Sequence, residues 1–346
     1  MRKYLPLILF VLISSSFIIS SIISIVSYSD PNTQLDLPSN KVIIVSAIED
    51  RSIISNYLNK KNRYLPIEEN FYDITWISAD LFSEYKNYPA ILMVKNEQHK
   101  DSLLFKVFDR VFKNKTEKSK VNLIENSYSE NQIIFGLEVL DSLELGLTLD
   151  NYSESINRID EKIEYQILKK YMRIPQNNNL TDLIKNSYSI DIFIDHEYTI
   201  LKNFKNILWI GRGKPEYADP YRWIIFKEIQ SCDNIQECTE IIQNTFSEIM
   251  SDSNTIKISE FNDSKTYKYM HKNNYIIGGT YTLSEIIKNN KGIDEIPSAG
   301  GPYVSYIIKR GDSKDILVIG LVNNPGQDKM IYLKQFEAIF KNIKGD

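Results

Sequence analysis

Two cysteines are the residues of this sequence whose spacing points most directly to chemistry. Cys232 and Cys238 are its only cysteines, and the pattern around them predicts a strand end followed by the first turn of a helix. Asp233 with Gln236 is expected to cap that helix and to bring the two thiols together. Outside the cytoplasm such a pair is a candidate disulfide. Two free thiols are the alternative, whereas a metal site would lack ligands because no second C-x-x-C or nearby His completes it.

Histidines and acidic residues give no second constellation. His99, His196 and His271 follow no ligand spacing. The run Asp195-His196-Glu197 is the only acidic cluster around one of them, and it indicates either a metal or general-base site or a solvated turn. None of the motifs G-x-S-x-G, H-E-x-x-H, P-loop or G-x-G-x-x-G is present in the sequence. The sequence therefore predicts no catalytic residues, no metal site and no cofactor.

One basic turn is a candidate binding element. The run Gly211-Arg212-Gly213-Lys214 suggests an anion cradle, because glycine turns expose N–H groups and two basic side chains add charge. No predicted helix follows whose N-terminus could receive a phosphate, so a surface loop between strands is the other interpretation. Arg212 stays a candidate binding residue.

The C-terminal stretch, residues 298–344, is the clearest packing unit around these residues. A glycine-proline opening leads into two apolar strands around a polar turn and then into an amphipathic helix, which predicts a hairpin covered by that helix. The opening is a candidate contact site or a purely architectural turn. Its residues are Gly300, Gly301, Pro302 and Tyr303. In the helix, Glu337 is expected to be a surface partner of Lys341, or else a half-buried carboxylate.

A longer signature runs through this stretch. It consists of Gly300-Gly301-Pro302-Tyr303-Val304-Ser305-Tyr306, Gly320-Leu321-Val322, Pro325-Gly326, Lys329 and Leu333-Lys334-Gln335-Phe336-Glu337-Ala338-Ile339. It resembles the C-terminal signature of a domain-of-unknown-function family of bacterial envelope lipoproteins, and further matches extend the resemblance over most of residues 41–344. The chain departs from the family in having no lipid-attachment cysteine after the leader and only Lys329 where a basic pair usually opens the last helix. The resemblance implies an envelope location and brings no activity with it.

Predicted strands and helices follow the order β-α-β-β-α three times. This order predicts an α+β fold of tandem ferredoxin-like units with mainly antiparallel sheets. The units are residues 41–175 with an insertion at 95–131 that includes an amphipathic helix, residues 176–252, and residues 253–346 with a helix at 284–290 and the C-terminal hairpin and helix. The first two align at an offset of 116, which pairs Tyr72 with Tyr188, Ile74 with Ile190 and Ile91 with Ile207 and predicts an internal repeat.

Residues 1–29 predict a membrane signal. Arg2 and Lys3 precede an apolar stretch at 5–26, which is about 33 Å long as a helix and can cross a hydrocarbon core of about 30 Å. The positive flank stays in the cytoplasm, so the body is expected on the other side of the membrane. An uncleaved signal-anchor and a cleaved signal peptide, which would leave a secreted or periplasmic protein, both remain open. Residues 30–40 are a short stiff tether.

Composition narrows the function. A formal charge of -4 gives no basic field, so binding to nucleic acid is not expected. Aromatic residues make up 12% of the chain and suit sheet packing or a face for sugar or peptide. We expect a membrane-anchored extracytoplasmic module that binds or scaffolds in the cell envelope, with the membrane (through 5–26) and an envelope protein as partners. The alternative is an envelope hydrolase acting on cell-wall or carbohydrate material, which two carboxylates about 5 to 10 Å apart in one cleft would favour.

Overall fold

The computed structural model describes residues 40–59, 65, 69–113, 119–214, 219–250, 254–258, 266–289, 292–311 and 314–345. The predicted leader, at 1–29, and all of the tether except its last residue lie outside the described residues. Within the part that is described, none of the helices combines the length and the apolar character that crossing a membrane requires.

The central strands of the first sheet contain continuous apolar runs. Four of its strands are parallel, in the order β2-β1-β3-β5, and the edge strand β4 is antiparallel to β5. The strands are β1 (Lys41–Val45), β2 (Asp73–Ile77), β3 (Ala90–Asn96), β4 (Val121–Glu125) and β5 (Ile133–Val139). All of β3 and nearly all of β1 and β5 are buried. Such unbroken apolar runs are typical of a parallel sheet that is covered on both faces.

Helices cover both faces of this parallel sheet. On one face lie α1 (Arg51–Asn59), α4 (Ser142–Asn151) and α5 (Ser153–Tyr171); on the other lie α2 (Phe82–Tyr85) and α3 (Ser102–Val111). The chain therefore passes from β1 to β2 over one face and from β2 to β3 over the other. The prediction of a ferredoxin-like first unit is wrong, because crossover helices join these strands in parallel instead of hairpins joining them in antiparallel pairs.

The second sheet is antiparallel throughout, with the strand order β10-β12-β13-β14-β9-β8-β7 and with β11 also paired to β12. Its strands are β7 (Thr199–Phe204), β8 (Ile207–Lys214), β9 (Asp219–Ile229), β10 (Asn254–Ile258), β11 (Tyr267–His271), β12 (Asn274–Asn289), β13 (Gly292–Ile308) and β14 (Asp315–Asn323). Because β14 pairs with both β9 and β13, the predicted units 176–252 and 253–346 share one sheet. They are not two ferredoxin-like repeats.

Three helices flank the antiparallel sheet. Helix α7 (Ile235–Ile249) packs on one face, while α6 (Asn178–Tyr188) and α8 (Met330–Lys341) pack on the other. The short strands β6 (Ile190–Asp191) and β15 (Lys344–Gly345) pair with each other. The predicted C-terminal hairpin and its covering helix are confirmed, as β13, β14 and α8.

Helix α8 joins the two sheets. Its Leu333 and Phe336 pack on the antiparallel sheet, whereas Met330 and Ala338 belong to the apolar core of the parallel sheet. The Glu69 carboxylate accepts hydrogen bonds from the backbone N–H groups at the start of α8, at 2.7–2.9 Å. A carboxylate at this position also interacts favourably with the positive end of the helix dipole. The mixed α+β body is thus tied together by one amphipathic helix.

Several local predictions need correction. Residues 284–289, predicted as a helix, continue β12, because their backbone pairs with β13 as far as Asn289. Tyr188 ends helix α6 whereas Tyr72 precedes β2, so the offset of 116 does not mark a structural repeat. Helix α7 is capped by Asn234, which accepts from the Glu237 N–H at 3.0 Å, and not by Asp233. The amphipathic helix predicted inside the insertion is confirmed as α3.

Candidate functional site

A pocket lies at one end of the antiparallel sheet, where β7, β8 and β9 meet, and we call it the Arg212 pocket. Its volume is about 390 Å³. Its lining residues are Glu197, Thr199, Leu201, Gly211, Arg212, Gly213, Lys214, Asp219, Tyr221 and Trp223. Gly211 lies opposite Thr199 on β7 and opposite Trp223 on β9, so three neighbouring strands reach the pocket at one level of the sheet. A cavity of this size suits a small ligand.

Three carboxylates hold Arg212 on the charged side of the pocket. Its Nη1 donates to Oδ2 of the fully buried Asp195 at 2.8 Å, its Nη2 donates to Oδ2 of Asp219 at 3.2 Å, and Glu197 also pairs with Nη2. Burial alone would lower the pKa of Arg212, but the hydrogen bond to Asp195 and the three negative charges raise it above its usual value. The guanidinium is therefore already compensated, which argues against the anion cradle considered for this turn.

A second arginine connects the charged side to helix α8. Arg222, which is buried on β9, shares Asp219 with Arg212. Its Nη1 donates to Oε1 of Gln335 at 3.2 Å, and its guanidinium lies 5.1 Å from the centre of the Tyr332 ring. Both of these partners come from α8. The helix that joins the two sheets thus also fixes the charged side of the pocket.

Two aromatic rings, Tyr221 and Trp223, also line the pocket. Tyr221 is 40% exposed, and its ring stacks on that of Trp223 with centroids 5.9 Å apart and an interplanar angle of 19°. Trp223 in turn meets Trp209 edge-on at 6.0 Å. A Cβ added at Gly211 would lie 2.7 Å from the Trp223 ring, so the glycine provides the space that this ring occupies. Alternation along β9 puts Tyr221 and Trp223 on the same face of the sheet.

The predicted contact site at Gly300–Tyr303 does not line the pocket. It belongs to β13, where a Cβ added at Gly301 would lie 1.9 Å from the carbonyl oxygen of Val322. Tyr303 is fully buried, and its hydroxyl has no hydrogen-bond partner among the described residues. The ring of Tyr281 lies 3.4 Å from the added Cβ position and reaches the aromatic side of the pocket. The motif therefore lies behind the pocket, whereas Arg212 lines it.

A disulfide joins Cys232 and Cys238 in the structure, with their Cα atoms 5.3 Å apart. It links the segment after β9 to the first turn of α7. The Lys309 side chain donates to the Cys232 carbonyl and, at 2.9 Å, to the buried carboxylate of Asp315. This cluster lies at the opposite end of β9 from the Arg212 pocket, so the disulfide stabilises the sheet and has no direct part in the site.

A second polar cluster lies at the carboxyl ends of β1 and β3. The fully buried Asp50 accepts from Nδ2 of Asn96 at 2.8 Å and lies 3.1 Å from Nδ1 of His99. The other oxygen of Asp50 has no hydrogen-bond partner within the described part of the chain. In open α/β sheets this edge, between β1 and β3, is where ligand crevices form. Sequence reasoning missed this cluster because its members are 46 to 49 positions apart.

The remaining predicted candidates lie elsewhere. Glu337 is buried, not on the surface, and accepts from the Tyr267 and Tyr269 hydroxyls at 2.9 and 2.8 Å. Lys341 pairs instead with Glu164 of α5. His196 is exposed. Within the described ranges no group of three or more His, Cys, Asp or Glu side chains could hold a metal ion.

Comparison with known proteins locates one domain. A DUF4837 domain, a domain of unknown function, spans residues 177–342. This range contains the Arg212 pocket, the C-terminal signature and helix α8, and it leaves the parallel sheet outside the match. No curated protein matches the chain significantly.

Solved structures give only distant likenesses. LpqN of Mycobacterium tuberculosis, described as involved in cell envelope biogenesis, has a TM-score of 0.26 and 8% identity over 45% of this chain and 82% of its own. Human STARD10 has a TM-score of 0.21 and 9% identity over 49% of this chain and 81% of its own. With TM-scores this low, neither likeness carries an argument about fold or ligand. What the comparisons show is that residues 177–342, slightly less than half of the chain, match the family model of DUF4837, a domain of unknown function.

Proposed function

We propose that this protein is an extracytoplasmic binding module of the bacterial cell envelope and that its ligand enters the Arg212 pocket. The observation that carries the proposal is the pocket itself, whose lining includes both the exposed, stacked Tyr221 and charged side chains that are already paired. Small-molecule sites typically combine such an apolar surface with a few fixed polar groups. The pocket favours binding over a purely scaffolding role.

The same pocket gives less support to hydrolysis. Glu197 and Asp219 are two carboxylates in one cleft, which is the arrangement expected of a glycosidase. Both, however, pair with Nη2 of Arg212. A glycosidase needs one carboxyl group that can give up a proton and another that is free to act as base or nucleophile. Two carboxylates engaged by one guanidinium are better suited to holding a site in shape.

The envelope location rests on the sequence and on the disulfide. The basic flank and the apolar stretch at 5–26 favour export of the body, either anchored through that stretch or released after cleavage. A bridged Cys232–Cys238 pair supports an oxidising compartment, because the cytosol keeps thiols reduced. An envelope protein as a further partner remains part of the proposal.

The location is tested with alkaline phosphatase fused after residue 346 in intact cells. We expect an active fusion, and we expect Cys232 and Cys238 to resist alkylation until a reductant is added. An inactive fusion, together with freely alkylated cysteines, would contradict the envelope location.

The binding site is tested with the full chain in detergent and a mixture of muropeptides, which carry both glycan and peptide. Of the three tryptophans, Trp223 lines the pocket, Trp209 contacts the Trp223 ring, and Trp76 lies on β2 of the other sheet. We therefore expect muropeptides to change the tryptophan fluorescence of a Trp76→Phe variant. Tyr221→Ala should weaken binding by at least about tenfold.

Tyr165→Ala is the matched control, because Tyr165 is 43% exposed but lies on α5, away from the pocket. Its binding should equal that of the parent chain. Equal losses in both variants, or no effect of Tyr221→Ala on a measurable affinity, would refute the pocket as the binding site.

A further inference from the structure

The charges of the Arg212 pocket indicate which ligands it can accept, provided that the proposed binding function holds. Asp195, Glu197 and Asp219 face the guanidinium groups of Arg212 and Arg222, and every Nη atom of Arg212 is already engaged. Exposed Lys214 is the remaining charged lining residue. These charges balance, with three negative and three positive groups. An anion that binds at the Arg212 guanidinium would have to displace a carboxylate, and a cation that binds at Glu197 or Asp219 would compete with that guanidinium for the same carboxylates.

The polar groups that remain available are mainly acceptors. The Glu197 side chain is 49% exposed and that of Asp219 is 31% exposed, and an ionised carboxylate has about four acceptor positions, of which a guanidinium fills only some. The Thr199 hydroxyl donates to the carbonyl oxygen of Gly211 at 3.4 Å, so its oxygen is a further acceptor. A ligand that fits must therefore bring several neutral hydrogen-bond donors.

The aromatic side sets the shape of the ligand. Tyr221 stacks on Trp223 with one face, so its other face is the flat apolar surface that a ligand can meet. The glycine at 211 removes the side chain that would otherwise push the Trp223 ring out of position. A ligand for this surface needs a flat apolar face of its own as well as donors at its edge.

We propose that the Arg212 pocket binds an uncharged saccharide. A pyranose ring has an apolar face of C–H groups, which stacks on the outer face of Tyr221, and a rim of hydroxyls, which donate to Glu197 and Asp219. Neutral hydroxyls satisfy the carboxylates without disturbing their pairing with Arg212. The volume of about 390 Å³ is at the small end for ligand pockets, so the site takes a short segment of a glycan.

The test is a charge-matched series of sugars on the full chain, held in a detergent without a sugar head group. The uncharged probes are trisaccharides of N-acetylglucosamine, glucose and mannose. The charged probes are the glucosamine trimer, which is the N-acetylglucosamine trimer with amines in place of its amides, and trigalacturonate. We expect at least one uncharged trimer to bind about tenfold or more tightly than either charged trimer, by calorimetry and by tryptophan fluorescence.

Variants separate stacking from other effects. Tyr221→Phe keeps the ring and should retain binding, Tyr221→Ala should lose it, and Tyr165→Ala should leave it unchanged. No binding of any uncharged trimer, or equal binding of charged trimers, would overturn the saccharide inference. If muropeptides or the tripeptide L-Ala-D-Glu-L-Lys still bind in a Tyr221-dependent way, the proposed binding function survives that result. If nothing depends on Tyr221, both fail.

Discussion

Among the described residues, two aspartates have no exposed surface, Asp195 in the antiparallel half and Asp50 in the parallel half, and the two halves treat them in opposite ways. In the antiparallel half, Asp195 pairs with Arg212 inside a group of three acids and two arginines. In the parallel half, Asp50 meets only the Asn96 amide and the His99 ring, and it has no Lys or Arg partner among the described residues. One oxygen of Asp50 is left without any hydrogen bond there.

The difference shows what each half does with a buried charge. Removing a carboxylate from water is costly unless a partner charge and hydrogen bonds replace the water. The antiparallel half supplies both, and the result is a fixed, ion-paired group that shapes a pocket. The parallel half supplies hydrogen bonds without a full countercharge. We therefore expect substitutions of the two aspartates to have unequal effects on the free energy of unfolding.

Asp195→Asn should give the largest effect. It removes the charge that contacts Nη1 of Arg212 at 2.8 Å and leaves a buried guanidinium with fewer partners. Breaking a buried ion pair on one side costs about 3 kcal/mol or more. Urea unfolding followed by circular dichroism measures this loss. Glu197→Gln, which changes a half-exposed carboxylate on the same guanidinium, is the control and should cost much less. Equal losses would show that the burial of Asp195 is not what matters.

This comparison also shows how much of the site and of the fold could be predicted from the sequence. Arg212 and the run Asp195-His196-Glu197 were both recognisable as polar clusters, but they are 17 positions apart, and only strand geometry brings them together. Tyr221 and Trp223 could have been paired from the sequence, because residues two apart in a strand share a face. The C-terminal hairpin and helix were predictable because their β-branched runs and their three- and four-residue spacing are strong local signals.

The parallel sheet was missed for a physical reason. A strand such as Ala90–Asn96 is buried on both faces. Its apolar run, residues 90–94, is the pattern that a parallel strand shows. Element order alone does not distinguish a crossover helix from a hairpin connection. Asp50 and His99 had no signal at all, since a single acid and a single histidine in separate loops become neighbours only when β1 and β3 pair.

A second pair of substitutions compares how each half packs an aromatic ring onto a glycine. A Cβ at Gly320 would lie 2.7 Å from Cγ and Cδ2 of Phe336, a ring held between the sheet and helix α8. A Cβ at Gly136 would lie 2.5 Å from Cε2 and Cζ of Phe112, the far end of a side chain that follows α3. A ring can swing at its far end more easily than at its base. We expect Gly320→Ala to cost about 2 to 3 kcal/mol and Gly136→Ala about 1 kcal/mol.

Thermal unfolding of the two glycine variants checks this order. Gly311→Ala is less suitable as a control, because Gly311 has a positive φ of 66°. Gly146, whose added Cβ would lie 4.0 Å from its nearest neighbour, is the matched position, and Gly146→Ala in helix α4 should be neutral or stabilising. If Gly136→Ala were the more damaging change, the parallel half would be the more rigid of the two.

A pH series examines the junction between the halves. Burial raises the pKa of Glu164 on α5; Lys341 of α8 opposes the increase, and the charges of Glu337 and Asp160 add to it. The folded state therefore holds this proton more strongly than the unfolded state, and its contribution to stability decreases as the pH rises through the raised pKa. Glu164→Gln lacks this loss. The free energy of unfolding of the variant relative to the parent should increase from about pH 4 to about pH 7.

Lys341→Met is the companion to that series. It removes the cation that opposes the pKa increase, so stability should decrease more steeply with pH than in the parent chain. A Glu164→Gln profile parallel to that of the parent over the whole range would mean that Glu164 titrates at its ordinary pKa and that the junction is not buried in solution.

Asp50→Asn should give the smallest effect, within about 1 kcal/mol. The amide keeps an acceptor for Asn96 and His99, and it removes a buried charge that has no Lys or Arg partner in the described part of the chain. The cost of losing the charged hydrogen bonds and the gain from not burying a charge then largely offset each other. His99→Gln in the same background should change the free energy of unfolding little further. The double variant measures the coupling between Asp50 and His99. A loss as large as that of Asp195→Asn would mean that Asp50 meets a positive partner in solution.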